Sequence, residues 1–303
     1  MSKRAWALLA ATTVSLIYGV SFTIAKDVMP QYVKPFGFIL LRVFGATILF
    51  WLVSFFVRLS RSAHNDKVEL QDFPRIIAAA FFGVALNMLT FFKGLSFTSP
   101  ISAAVIMVTT PIIVLILSAI IMKERMIKRK IFGILLGLLG TGFLILYGKS
   151  GGSATNATLG NLLVFINAVS YGLYLIIVKK LMDKYNAFTF VKWIYLFGLL
   201  MVLPFGWSEY REIQWHTLPV SILWEIGFVV VFTTFLTYLF NLISMRELKP
   251  TTVAVFIYLQ PLFATLFAMS LGKDQLTLEK TGSAVLIFVG VYLVTQKRSS
   301  QSS

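Results

Sequence analysis

Two sets of polar side chains recur at helical spacing inside otherwise apolar segments. Asn167, Ser170, Tyr171 and Tyr174 stand at i, i+3, i+4 and i+7, as do Thr234, Thr237, Tyr238 and Asn241, so each set shares one helix face. Amides, hydroxyls and phenols are neutral hydrogen-bonding groups, and the tyrosines add apolar surface. Their chemistry is recognition of a small amphipathic molecule rather than bond making. The corresponding faces earlier in the chain, Val14, Ile17, Tyr18, Ser21 and Val84, Asn87, Met88, Phe91, are more apolar. Contacts between helices are the competing use of such groups. At about 0.6 kcal/mol per interhelical bond, they hardly account for four polar groups per helix, so the two faces are read as a cavity lining. Thr110, Tyr258 and Gln260 complete the wall, and Trp6 is set aside as an interface anchor.

Arg42 is the one strong charge well inside an apolar segment. Six residues in from Phe36, it lies roughly 9 Å below the membrane boundary at about 1.5 Å per residue. Its partner is a substrate carboxylate, a freed backbone carbonyl or a lipid phosphate. Pro111 and Pro261 sit near the middle of their segments. Each lacks an N–H and crowds the carbonyl four residues back, which leaves the oxygens of Met107 and Ile257 as acceptors for a substrate and the two prolines as hinges. Repair by Thr109, Thr110 or Gln260 is the alternative.

Other chemistries are excluded by what the chain lacks. There are no cysteines, which removes disulfides, thiolate metal sites and thiol nucleophiles. The two histidines, His64 and His216, lie in loops, and neither an HExxH nor a Walker A motif is present. No enzyme, metal site or cofactor is therefore expected. No acid lies in the middle of an apolar segment; Glu225 comes nearest. Either Glu225 relays protons, or the carrier runs down its substrate gradient, which is the reading taken.

The elements that position these residues are membrane spans. Of 303 residues, 58% are hydrophobic and 13% charged, against about a quarter charged in soluble domains. Ten segments approach the roughly 20 apolar residues that cross a bilayer: 6–25, 36–57, 76–95, 99–122, 131–148, 160–178, 188–206, 221–244, 250–271 and 281–295. The net charge of +15 lies between these segments rather than on one face, which argues against nucleic acid. With the N-terminus inside, 19 of the 27 Lys and Arg residues fall on the inner side and 7 on the outer. This bias places both termini in the cytoplasm of a multi-pass plasma-membrane protein, the inner membrane in a bacterium.

The chain is also duplicated. Pro100, Pro111 and Lys123-Glu124 recur 150 residues later as Pro250, Pro261 and Lys273-Asp274, and Gly140 recurs as Gly290. Tyr18-Gly19 and Lys26 recur at an offset of 153 as Tyr171-Gly172 and Lys179. An odd number of spans separates the copies, so the halves, 1–149 and 150–303, are inverted relative to each other. Gly133, Gly137 and Gly140, with Gly282, Ser283 and Gly290, let the last span of each half approach a neighbour closely.

In these residues, together with Thr98-Ser99, Ala103-Ala104 and Gln260-Pro261, the chain resembles the EamA family of the drug/metabolite transporter superfamily over nearly its whole length. The resemblance implies an all-α integral membrane protein of ten transmembrane helices in two inverted five-helix repeats. It further implies a central cavity and transport of small metabolites, often amino acids outward. The family often ends its fourth and ninth spans in Gly-Glu. Here Lys123 precedes Glu124, and Lys273 separates Gly272 from Asp274, so the capping role of the acid is open. The expected partners are a small-molecule substrate and membrane lipids, with a homodimer open. A channel, or a lipid-handling protein whose basic Lys128-Arg129-Lys130 meets anionic head groups, is the rival reading.

Overall fold

Apolar segments of this length have one stable solution in a bilayer: helices that satisfy their own backbone groups. The computed structural model describes residues 3–59, 68–122, 128–147, 156–182, 184–185, 187–247 and 256–295, and all regular structure among them is helical. The helices are α1 (Lys3–Val28), α2 (Pro35–Leu59), α3 (Leu70–Phe97), α4 (Pro100–Met107), α5 (Thr110–Met122), α6 (Lys128–Tyr147), α7 (Ala157–Met182) and α8 (Ala187–Arg211). They continue as α9, which runs through Val220–Phe228, Val229–Leu236 and Thr237–Glu247, then α10 (Leu259–Ser270) and α11 (Leu278–Thr295). Pro250, Ala254-Val255, Lys123 and Glu124 lie outside the described residues.

Seven of these segments are long and apolar enough to cross a membrane: Ala5–Val28, Pro35–Phe56, Leu70–Phe97, Pro100–Leu117, Ala157–Val178, Thr189–Arg211 and Val220–Asn241. Ile131–Leu144 and Leu259–Ser270 are shorter apolar helices. Large apolar side chains such as Phe55, Phe56, Leu139, Leu146 and Trp224 are exposed. An outer surface of this kind suits lipid and not water. The protein is an integral, multi-pass membrane protein.

Besides Pro204 within α8, four irregularities among the described residues interrupt the helical ladder. The expected fourth span is two helices, α4 and α5, separated by a turn at Val108–Thr109. Ser99 opens α4 as an N-cap, accepting from the Ser102 N–H at 3.2 Å, with Pro100 in the first turn, and Pro111 stands in the first turn of α5. A matching turn at Ile257–Tyr258 precedes α10 and its Pro261. In α3 the stretch Phe81–Ala85 is π-helical, and in α9 so is Val229–Leu236.

The helices pack in pairs: α6 along α11, α2 along α8, α3 along α7, α1 against α9 and α10, α5 against α7, and α4 against α10. Lipid supplies no hydrophobic drive for such pairing, so close backbone approach matters. A Cβ on Gly290 would lie 2.5 Å from the Gly133 carbonyl oxygen and 2.6 Å from the Gly137 nitrogen. The expectation of close packing by the Gly133, Gly137, Gly140 and Gly290 set is met, whereas Gly282 has open space where its Cβ would be.

At one end of the bundle a buried ion pair ties the two halves of the sequence together. Lys280 Nζ lies 2.6 Å from Asp274 Oδ1, both side chains fully enclosed. Asp274 also accepts the Ile101 N–H of α4 at 3.1 Å. The acid at this loop caps the start of a helix in the other half, which resolves the question of its capping role. Lys26 Nζ holds the Leu95 and Ser96 carbonyls at the end of α3, at 3.0 and 2.7 Å. Gly290→Leu is expected to destabilise the protein by about 1–3 kcal/mol through overpacking, read as a lower midpoint of thermal unfolding in detergent. Gly282→Leu should leave that midpoint nearly unchanged.

Candidate functional site

Arg42 of α2 points at the π-helical stretch of α9. Its Nε donates to the Thr234 hydroxyl and its Nη2 to the Thr233 carbonyl at 3.3 Å, while the guanidinium sits 4.9 Å from the Phe92 ring centroid. The Thr234 hydroxyl donates in turn to the Val229 carbonyl at 2.9 Å, bridging the five-residue step of the π-turn. Beside it the Ser21 and Thr233 hydroxyls meet at 2.5 Å, and the Thr237 hydroxyl, which donates to the Thr233 carbonyl at 2.7 Å, lies 3.2 Å from the Tyr18 phenol. π-Turns concentrate at functional sites because they re-aim the groups that follow them. Here the π-stretch gathers α1, α2 and α9 around one point.

Aromatic rings surround that point. Tyr195 of α8 meets Tyr238 edge to face at 5.1 Å, and Phe50 lies 5.0 Å from Tyr195 and 5.1 Å from Phe235. Tyr171 and Tyr174 of α7 stack at 5.7 Å, and the Tyr174 ring lies directly over Gly83 of the α3 π-stretch. Phe22 meets Phe91 at 5.4 Å. The phenols of Tyr18, Tyr171 and Tyr238 are near enough to act on one another electrostatically, and Tyr18, Tyr195 and Tyr238 all feel the Arg42 charge. Tyr18, Tyr171 and Tyr238 are partly buried. The arrangement can hold an amphipathic molecule between rings while hydroxyls and one cation orient it.

The structure therefore brings Tyr18, Ser21, Arg42, Phe91, Tyr171, Tyr174, Thr234 and Tyr238 into one region. Several other candidates make contacts within the protein. Asn167 Nδ2 donates to the Asn87 carbonyl at 2.8 Å, and Ser170 donates to the Phe82 carbonyl at 2.7 Å. These two side chains join α7 to the irregular backbone of α3, as interhelical contacts do. Tyr258 turns toward α11, its ring 6.4 Å from that of Phe288, and does not join the tyrosine group. Thr110 bonds its own turn: its hydroxyl donates to the Met107 carbonyl at 2.7 Å.

The expectation that the Met107 and Ile257 oxygens stand free is likewise corrected. Thr110 takes the first, and the Gln260 N–H takes the second at 3.0 Å. Ser15 donates to the neighbouring Phe256 carbonyl at 2.7 Å. The side chains of Asn87, Tyr171, Asn241 and Gln260 make no hydrogen bond to another described residue, although Gln260 is only 7% exposed. They remain available to a ligand. Among the described residues no three His, Asp or Glu side chains gather as a metal would need.

Tyr195, Phe50 and Thr233 escaped the sequence reading. Tyr195 had a signal: the offset of 153 that relates Tyr18 to Tyr171 also relates Arg42 to Tyr195 and Gly45 to Gly198. Phe50 and Thr233 have none, since one is an apolar residue in an apolar run and the other is turned inward by the π-stretch.

The model of the EamA-like transporter family matches residues 5–146 and 158–296, and the chain belongs to that family. It is 27% identical over 295 residues to an uncharacterised transporter of Archaeoglobus fulgidus, covering 97% of this chain and all of the relative. It is 21% identical to the uncharacterised transporter YetK of Bacillus subtilis, covering 98% and 89%. A crystal structure superposes with a TM-score of 0.62 at 18% identity, covering 96% of this chain and 98% of that one, which extends the likeness to the fold. The protein is thus a membrane transporter by family.

Replacing Asn167 with Leu is expected to lower stability by about 0.6 kcal/mol, the mean for an interhelical bond. Asn241→Leu should leave stability unchanged and reduce transport. Thermal unfolding paired with uptake assays separates the two roles. Lost transport at full stability in Asn167→Leu would return Asn167 to the binding surface.

Proposed function

We propose that this protein is a secondary transporter that moves small polar or amphipathic metabolites, amino acids or related compounds, outward across the plasma membrane by alternating access. Its halves, 1–149 and 150–303, form two inverted five-helix repeats with both termini in the cytoplasm. The observation that carries the reading is the meeting of Tyr18, Tyr171, Tyr174, Tyr195 and Tyr238, from α1, α7, α8 and α9, in one cluster beside Arg42. Membrane carriers bind at such a junction of repeats, near discontinuous helices.

Matched irregularities support the duplication. Each half has one π-helical stretch in its third segment and one proline break in its fourth. Exchanging the halves maps the α3–α7 pair onto α9–α1 and the α5–α7 pair onto α10–α1. Gly45 of α2 receives Val230 from the α9 π-stretch, and Gly198 of α8 receives Val84 from that of α3. The two stretches matched by the family and the charge bias of the loops point the same way.

Pro111 and Pro261 serve as hinges. The breaks before them carry few ladder bonds, and side chains rather than continuous helix hold the loose oxygens, so bending there disturbs little else. Asn87, Tyr171, Asn241 and Gln260 contact the substrate, with Tyr18, Tyr174, Tyr238 and Phe91 as apolar walls. Movement down the substrate gradient needs no proton relay at mid-depth.

The absence of cysteine gives a direct test. Single cysteines at Tyr171, Asn241 and Gln260 in proteoliposomes should react with a membrane-impermeant thiol reagent added to either side, and a transported compound should protect them. Pro261→Ala should insert normally and exchange substrate at least about tenfold more slowly. Reaction from one side only, or unitary conductance in planar bilayers, would replace the carrier with a channel or a lipid-handling protein.

A further inference from the structure

Among the described residues Arg42 is the one fixed charge beside the tyrosine cluster, and it has no counter-ion there. It is 5% exposed. Its guanidinium carries five N–H donors and stays protonated; the Thr234 hydroxyl and the Thr233 carbonyl engage two of them. Among the described residues no carboxylate comes within ion-pair distance of it. Its nearby groups are neutral: Phe92, Thr233, Thr234 and the phenols of Tyr18, Tyr195 and Tyr238. An enclosed charge without an opposite charge is unfavourable, and a planar guanidinium with donors to spare matches a carboxylate in shape.

The second half sharpens the point. The residue that corresponds to Arg42 at the offset of 153 is Tyr195, so duplication has left a cation on one side of the space and a phenol on the other. Among the described residues the cluster carries no anion to receive an ammonium group. Its charge is therefore complementary to an anion and not to a zwitterion or a cation.

We infer that the transported compound is an organic carboxylate with an aromatic or other apolar body, its carboxylate held by Arg42 and its body by the tyrosine rings, and that an amino group contributes nothing to its recognition. This rests on the carrier reading and narrows its substrate class to organic anions, setting the zwitterionic amino acids aside. It also supplies a direction. With no titrating group at mid-depth to carry a compensating proton, an inside-negative membrane potential drives a monoanion outward.

The test is equilibrium binding to the purified protein in detergent, read by tryptophan fluorescence and by thermal unfolding. The probes are 4-hydroxyphenylacetate, its uncharged amide and the amine tyramine, which share one ring and differ in charge. The acetate should bind saturably and raise the unfolding midpoint, with an affinity about tenfold or more above that of the amide, as expected for a hydrogen bond to a charged group. Tyramine should bind more weakly than the acetate by at least as much. Arg42→Gln should abolish the preference for the acetate, and Arg42→Lys should retain part of it.

Arg42 also braces Thr234, so the comparison of acetate with amide is made on the unaltered protein and does not depend on folding of the glutamine variant. Equal binding of acetate and amide, stronger binding of tyramine, or no binding of the acetate overturns the inference. Two-sided cysteine accessibility would survive that result, so failure of the substrate class is distinguishable from failure of the carrier.

Discussion

Every backbone carbonyl placed in a membrane interior must find a donor within the protein, because lipid offers none. Among the described residues the chain breaks its helical ladder at two π-stretches and two proline turns inside the bundle, and meets that requirement at each of them with a specific side chain or a short turn. Ser170 and Asn167 serve carbonyls in and beside the α3 π-stretch, and Arg42 and Thr237 serve Thr233 in that of α9. Thr110 serves the first proline break, and Ser15 with the Gln260 N–H serves the second. Most of these partners come from a different helix, so satisfying the backbone and holding the helices together are one interaction.

That coupling explains where the candidate site lies. The α9 π-stretch turns Thr233, Thr234 and Thr237 inward toward α1 and α2, and the α3 π-stretch leaves room at Gly83 for the Tyr174 ring. The two irregularities face the same interior from opposite sides of the bundle. The halves are not chemically equal around it. Arg42 is answered by Tyr195, and the hydroxyl-rich α9 by the more apolar α3.

Much of this was legible in the sequence. Apolar length located seven segments that can cross a membrane and two shorter apolar helices, and Pro111 and Pro261 marked the two helix breaks. Helical periodicity placed polar groups on the right faces but could not say which neighbour each face meets, so Asn167 and Ser170 read as cavity lining although α3 carbonyls take their donors. Tyr258 failed for a related reason: the turn at Ile257–Tyr258 breaks the helical phase, and a residue before the break does not share a face with Gln260 after it. π-Turns have no compositional mark, so Thr233 was hidden. Tyr195 was readable, had the offset been carried from the first span into the second.

The central claim is that the two halves run through the membrane in opposite senses and enclose one space. Gln31 and Lys184 are exposed, lie just after α1 and α7, and correspond at the offset of 153. Each can be replaced singly by cysteine in a chain that has none. In sealed, sidedness-controlled vesicles an impermeant thiol reagent should label Gln31→Cys from the periplasmic or external side only and Lys184→Cys from the cytoplasmic side only. Labelling of both from the same side would contradict the inverted arrangement, and with it the alternating chamber built on it.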